Sequence, residues 1–170
     1  MRTSSTLTFD RHISEFMSLF LDPTLNREWN QRMSSQHVVQ DALHGEIVHQ
    51  TYGLPWPLKS RELLMRCTND VARGTQSVTA RCASVHTDRV PISSERVRME
   101  IIGSMWKFDS LPLERTRITV ELAISENFTV GVPSFIVDYV QKHSLTESMR
   151  NFERATTRLH LARRAQNGAR

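Results

Sequence analysis

Residues 115–125 read Arg-Thr-Arg-Ile-Thr-Val-Glu-Leu-Ala-Ile-Ser, and this alternation constrains the fold more than any other stretch of the chain. Thr116, Ile118, Val120, Leu122 and Ile124 share one side of an extended backbone, and Arg115, Arg117, Thr119 and Glu121 share the other, because strand side chains alternate with a period of two. One apolar face and one wet face is the pattern of an antiparallel sheet covered on a single side. Val97, Met99, Ile101 and Met105 repeat it on the strand before. Such a sheet has an inner surface that something must cover.

The rest of the chain supplies the cover. From about residue 36 the period is that of strands, and the spacing predicts strands over 36–43, 45–52, 61–69, 75–86, 95–106 and 115–125. Leu43-His44-Gly45, the Pro55-Trp56-Pro57 corner, Ala72-Arg73-Gly74 and Pro91 to Ser94 separate the first five. The corner is stiff, because each proline fixes its own φ and lacks an amide donor, and it feeds a strand with Leu63, Met65 and Cys67 on one face. Upstream, Phe9, Ile13, Phe16, Met17 and Phe20 predict a helix over 9–21 with Asp10 as N-cap. Asp22-Pro23 opens a second short helix carrying Leu25, Trp29 and Met33. Downstream, Gly131-Val132-Pro133 precedes a long helix from Ser134 to about Arg163. Its apolar stripe slips at His143-Ser144-Leu145-Thr146-Glu147, where Ser144 and Glu147 have capping-box spacing. Either the helix bends there or its two halves bury different faces. The expected architecture is α+β: about six antiparallel strands, neighbours in sequence paired in space, wrapped on a long C-terminal helix, with two short helices at the N-terminus.

Length and charge bound what this fold can do. A chain of 170 residues is one domain, expected over 1–163 with a basic tail at 164–170, and it buries about 70% of its unfolded surface. No apolar run approaches the roughly 18 residues of a spanning helix, and Met1 to Phe9 contains no signal-peptide core. A cytoplasmic location is expected, with Cys67 and Cys82, the only cysteines, as two free thiols. The net charge is +4, and only Lys59, Lys107 and Lys142 among the 22 basic residues are lysine. Arginine suits phosphates and carboxylates, and it equally suits a solvated surface. No RNP motif, zinc knuckle or dense basic block points to nucleic acid, and no residue spacing calls for a metal or another cofactor.

Taken in order, the segments resemble a known family. Asp10 to Asn30 resembles the helix pair of START (steroidogenic acute regulatory protein-related lipid transfer) domains, which ends in Trp-Asp. Pro57-Leu58-Lys59-Ser60-Arg61-Glu62-Leu63-Leu64 resembles their Pro-x-x-x-Arg-Asp signature, and 97–106 and 115–140 resemble their last two strands, Gly-Ile-Pro turn and lid helix. Asn30 and Glu62 stand where the family has aspartate, and Asn127 lies near its usual Asp-x-x-Gly turn. The family also carries a helix and two strands ahead of the segments seen here, roughly forty residues, more than a boundary error of a few positions. On that reading strand 115–125 is left as an open edge through which copies of the chain associate, and residues 1–9 cover only part of it.

What the resemblance implies is a helix-grip (START/Bet v 1-like) fold that holds a lipid between the concave sheet and the C-terminal helix. By parity Leu63, Met65, Cys67, Val78, Ala80, Cys82, Val97, Met99, Ile101, Met105, Ile118, Val120 and Leu122 face inward, joined by Ile136 and Val140 from the helix. Pattern alone makes them a solid core; the resemblance makes them the wall of a cavity. Some sterol-binding relatives bury a carboxylate–arginine pair here. Glu46 and Arg66 are the nearest candidates, but Arg66 shares the parity of Leu64 and is expected to face solvent.

For catalysis there is no HxxxH and no GxSxG. His49 with Glu46, and His86 with Asp88, are the acid–base pairings available, and exposed strand ends account for them. The expected function is therefore a non-enzymatic lipid-binding module. The alternatives are a cyclase-like helix-grip enzyme acting on a hydrophobic small molecule, by analogy of fold, and an incomplete domain without a pocket. Arg150, Arg154 and Arg158 recur every four residues near the helix C-terminus, with Arg163 and Arg164 beyond. They complement the helix dipole, or they touch an anionic membrane surface as a peripheral contact.

Overall fold

The computed structural model describes residues 1–40, 45–54, 56–72, 76–125, 129 and 131–168. The turns expected around residues 43–45 and 72–74 fall largely outside these residues, as does Asn127. The strands are β1 (Arg2–Phe9), β2 (Met33–Gln40), β3 (Glu46–Tyr52), β4 (Arg61–Ala72), β5 (Ser77–Ser84), β6 (Val97–Arg98), β7 (Ile101–Leu111) and β8 (Arg115–Ile124). The helices are α1 (Ile13–Phe20), α2 (Asn26–Trp29) and α3 (Ser134–Gly168). The strands form one sheet in the order β1-β8-β7-β5-β4-β3-β2, with β6 beside β4. Every pairing on the main path is antiparallel. The six expected strands are present as sequence neighbours, and α3 lies across their inner face as a single helix that continues past Arg163.

Four differences from the sequence reading have clear physical causes. First, residues 2–9 form a full strand paired with β8 from Arg2↔Ala123 to Phe9↔Thr116. The amino group of Met1 donates to the Ile124 carbonyl at 2.8 Å. β8 is therefore an interior strand, and association through a 115–125 edge has no unpaired backbone to use. The alternation Thr3, Ser5, Leu7, Phe9 is short but sufficient to pair.

Second, the helix expected over 9–21 begins at Ile13, because Phe9 is the last strand residue. Its N-cap is His12, whose ring nitrogen accepts from the Ser14 amide at 3.3 Å, and not Asp10. Asp22 does act as a cap: its Oδ1 accepts from the Thr24 amide at 2.9 Å, opening a 3-10 turn over Pro23–Leu25.

Third, the strand expected over 95–106 is two pieces. Val97–Arg98 runs parallel to β4, and β7 then extends to Leu111. The β7–β8 turn places Leu113 and Glu114 at φ 63° and 53°. A turn of this hand normally advertises itself with glycine or asparagine, so nothing in the sequence marks it.

Fourth, Cys67 and Cys82 are joined in a disulfide and are not free thiols. They sit directly opposite each other in the β4–β5 register, with Cα atoms 4.2 Å apart, the close spacing of a non-hydrogen-bonded antiparallel pair. The adjacent-strand placement is legible in the sequence, but the bond is not. Gly45 is held at φ 111° against the Cys67 carbonyl, which a Cβ at that position would strike.

The inner face carries two clusters. Ile13, Phe16 and Leu19 from α1, Phe108, Ile118 and Val120 from the sheet, and Met149, Phe152 and Ala155 from α3 make one solid core. Leu63, Met65, Met99 and Ile101 make a second, bordered by Tyr52, Cys67, Cys82 and Leu122.

Candidate ligand cavity

Between the second cluster, α2 and α3 lies a cavity of about 490 Å³, within the range of small-molecule sites. Ten residues expected to face inward line it: Leu63, Met65, Cys67, Ala80, Cys82, Met99, Ile101, Val120, Leu122 and Ile136. Four others do not. Ile118 is fully buried in the solid core, and Val78 packs against that core from the same face. Val97 belongs to β6, paired with Arg61 at the sheet's side. Met105 pairs with the exposed Glu121 on the outer face, because the register shifts by one between Ile101 and Gly103. A bulge of this kind exchanges inward for outward side chains, and it brings Ser104 and Trp106 inward in place of Met105. The side chain of Val140 lies outside the described residues.

A second group of lining residues, from α1, α2, β2, β3 and β7, is one that strand parity alone does not pick out. Phe20, Trp29 and Trp106 close one side of the cavity, and the Trp29 and Trp106 rings meet edge-on with centroids 5.3 Å apart. The cavity is also bordered by a chain of uncharged polar side chains. Gln36 Oε1 accepts from Asn26 Nδ2 at 3.1 Å and from Gln50 Nε2 at 2.7 Å. Gln50 Oε1 accepts from the Tyr52 hydroxyl at 2.7 Å, and Asn30 Nδ2 reaches the same hydroxyl at 3.4 Å. Burial pushes the Tyr52 phenol up to about 12, against the smaller opposing effect of Asn30. A signal for this group is present in the sequence: Gln36, Val48, Gln50 and Tyr52 share strand parity, but polar residues on an inward face read as exposed.

Arg61 also borders the cavity. It is 2% exposed and donates to the Lys59 carbonyl, and burial lowers its pKa from the ordinary arginine value. The rigid corner borders the site through Leu54 and Leu58, while Trp56 is 93% exposed. From α3 come Ser144, Leu145 and Ser148, with Val132 just ahead of the helix.

A buried carboxylate with arginine partners exists, but it is Glu62 and not Glu46. Glu46 lines the cavity and Arg66 is exposed, so these two do not form a pair. Glu62, 1% exposed, faces the other side of the sheet. It accepts from Arg98 Nε at 2.9 Å and lies 3.1 Å from His49 Nε2, with Arg96 at 3.8 Å. Burial raises the Glu62 pKa, but the Arg98 and His49 hydrogen bonds outweigh it and hold the carboxyl below its ordinary value. Arg98 also donates to the carbonyls of Val90 and Pro91, at 3.2 and 3.3 Å. The cluster fastens the 90–98 segment to the back of the cavity wall. His49 thus meets Glu62 and not Glu46, and His86 lies 3.4 Å from Glu100, not beside Asp88. Arg150 and Arg154 are exposed on α3, while Arg158 reaches the Glu28 carbonyl at 3.1 Å.

No family model and no curated protein matches the chain by sequence. Solved structures match its fold. Human STARD10 superposes with a TM-score of 0.82 at 12% identity, over 99% of this chain and 68% of that one. Human StAR-related lipid transfer protein 5 gives 0.81 at 12% identity, over 92% and 76%. The Zhui aromatase/cyclase from a Streptomyces species gives 0.56 at 11% identity, over 94% and 95%. The chain is thus START-like in fold, with the helix-grip arrangement of a curved sheet around a C-terminal helix. Among the described residues no helix is long and apolar enough to cross a membrane.

Proposed function

We propose that this chain is a non-enzymatic binding module for a lipid or comparable hydrophobic molecule, held between the sheet and α3. The observation that carries this reading is the cavity itself. Protein interiors are close-packed, and the neighbouring half of the same sheet face is packed solid, so about 490 Å³ of largely apolar space calls for an occupant. The fold shared with a lipid transfer protein adds support. The cyclase-like alternative draws on the likeness to Zhui and on the buried Tyr52 hydroxyl, but no acid–base pair among the described residues borders the cavity beside it.

Exposed Arg150 and Arg154 supply a positive strip for approach to an anionic bilayer, at about 1 kcal/mol per residue near the surface. Arg158, engaged with Glu28, contributes less. Native mass spectrometry of the purified chain tests the central reading: a hydrophobic adduct retained under native conditions and lost on denaturation is expected. An empty chain whose Trp29 and Trp106 emission ignores added lipid would overturn it.

A further inference from the structure

We propose that the Asn26–Gln36–Gln50–Tyr52–Asn30 chain seats the uncharged, hydroxyl- or carbonyl-bearing end of a single-chain amphiphile; the inference rests on the reading of the cavity as a lipid site. Three observations converge on it.

The first is composition. All five side chains are neutral and all border the cavity, and Tyr52, raised to about 12, keeps its proton at every physiological pH. A buried charge needs an opposite charge to be stable, whereas neutral dipoles match a neutral polar group. One nitrogen of Arg61, the buried cation of the lining, donates to the Lys59 carbonyl.

The second is unused capacity. Among the described residues, the Gln36 Nε2 group and the Asn26 and Asn30 Oδ1 atoms make no hydrogen bond within the chain of polar groups. The site therefore offers donors and acceptors side by side, the complement of a hydroxyl, which both gives and takes a proton. A few convergent polar groups in an apolar pocket fix the orientation of a ligand.

The third is size. A cavity of about 490 Å³ divided by about 30 Å³, the share of one water in the liquid and close to that of a methylene, holds about sixteen such groups. One acyl chain of about that length fits.

Titration of Trp29 and Trp106 fluorescence tests the proposal, with Trp56→Phe removing the exposed background. The probes share one chain length: monopalmitoylglycerol, palmitate and palmitoyl lysophosphatidylcholine, with a pyrene-labelled hydrocarbon as the apolar control. Monopalmitoylglycerol is expected to bind about tenfold tighter than the two charged probes. Gln50→Leu should erase about tenfold of that affinity and Tyr52→Phe about fivefold, the range of one hydrogen bond, while hydrocarbon binding stays unchanged. Palmitate binding as tightly as monopalmitoylglycerol would overturn the proposal and hand the polar end to Arg61. So would equal losses for all probes, hydrocarbon included, in both variants, since that marks the chain as wall structure only. Hydrocarbon binding without any preference among the polar probes sinks this inference alone, whereas failure of every probe to bind sinks the cavity reading beneath it.

Discussion

The two halves of the inner sheet face use the same alternation and reach opposite ends. Where β7 and β8 meet α1, Phe108, Ile118 and Val120 are met by Phe16 and Leu19 from α1 and by Met149, Phe152 and Ala155 from α3. Phe152 alone lies within ring contact of Phe16, Phe20, Trp29, Trp106 and Phe108. Along β4 and the start of β7 the wall is just as apolar, with Leu63, Met65, Met99 and Ile101, but the helix answers with Ile136, Ser144, Leu145 and Ser148. The sheet does not decide which half is hollow. The helix does, by presenting two serines where a packed core would need large side chains.

The largest expected effect separates the halves directly. Phe152→Ala removes a ring that touches both sides of the solid core and should cost about 4 kcal/mol. Leu63→Ala, 4% exposed but facing an existing void, should cost about 2 kcal/mol, the low end for a buried leucine, because its lost contacts lie on one side only. Urea unfolding of the two variants checks this; equal losses would erase the distinction.

This division also explains what is legible in the sequence. The antiparallel sheet, the strand neighbours and the covering helix follow from periodicity alone, because a period of two or 3.6 fixes which side chains share a face. Parity places residues on regular strands, such as Leu63, Met65, Ala80 and Leu122, on the cavity wall for that reason. It fails where regularity breaks. The bulge before Gly103 sends Met105 outward, and the short β6 carries Val97 aside. Parity can assign Val78 and Ile118 to the inner face, but it cannot say that their part of the face is filled. The polar chain escapes it because Gln36 and Gln50 are hidden by a tertiary neighbour, α2, that strand periodicity does not contain. The cysteines are opposite each other in register, yet a bond depends on oxidation state as well as on geometry.

A smaller effect concerns how the hollow half keeps its shape without filling. Glu62, with His49, Arg98 and Arg96, fastens the wall from behind. Its pKa in the folded chain is below the ordinary value of 4.5, so its stabilisation is complete above that value and drains away as pH falls through the folded pKa. Glu62→Gln should cost about 2–3 kcal/mol at pH 7, the range of hydrogen bonds to a charged group, with the gap to the parent chain closing as pH falls below 4.5 and through the folded pKa. Thermal unfolding across this pH range measures it. A gap that stays constant would mean the carboxylate charge contributes nothing, and the wall is held by packing.

The smallest effect on stability is the most telling for the comparison. If the serines of α3 keep the cavity open, Ser148→Leu should begin to fill it from the helix side. Leucine has the better helix propensity, and Ser148 is half-buried against apolar neighbours on the wall. Burying part of the new side chain is worth up to about 1.5–3 kcal/mol, and some of that is offset by ordering it and by displaced water, so a net gain of about 1 kcal/mol is expected. Binding should move the other way. A leucine occupies several of the methylene-sized places that a single acyl chain needs, so affinity for a hydrophobic probe should fall at least about tenfold. Stability rising while binding falls is the signature of a void maintained for an occupant. A Ser148→Leu chain that loses stability would instead show that the space is already filled by rearranged wall side chains, and the two halves would then differ only in the size of the residues that pack them.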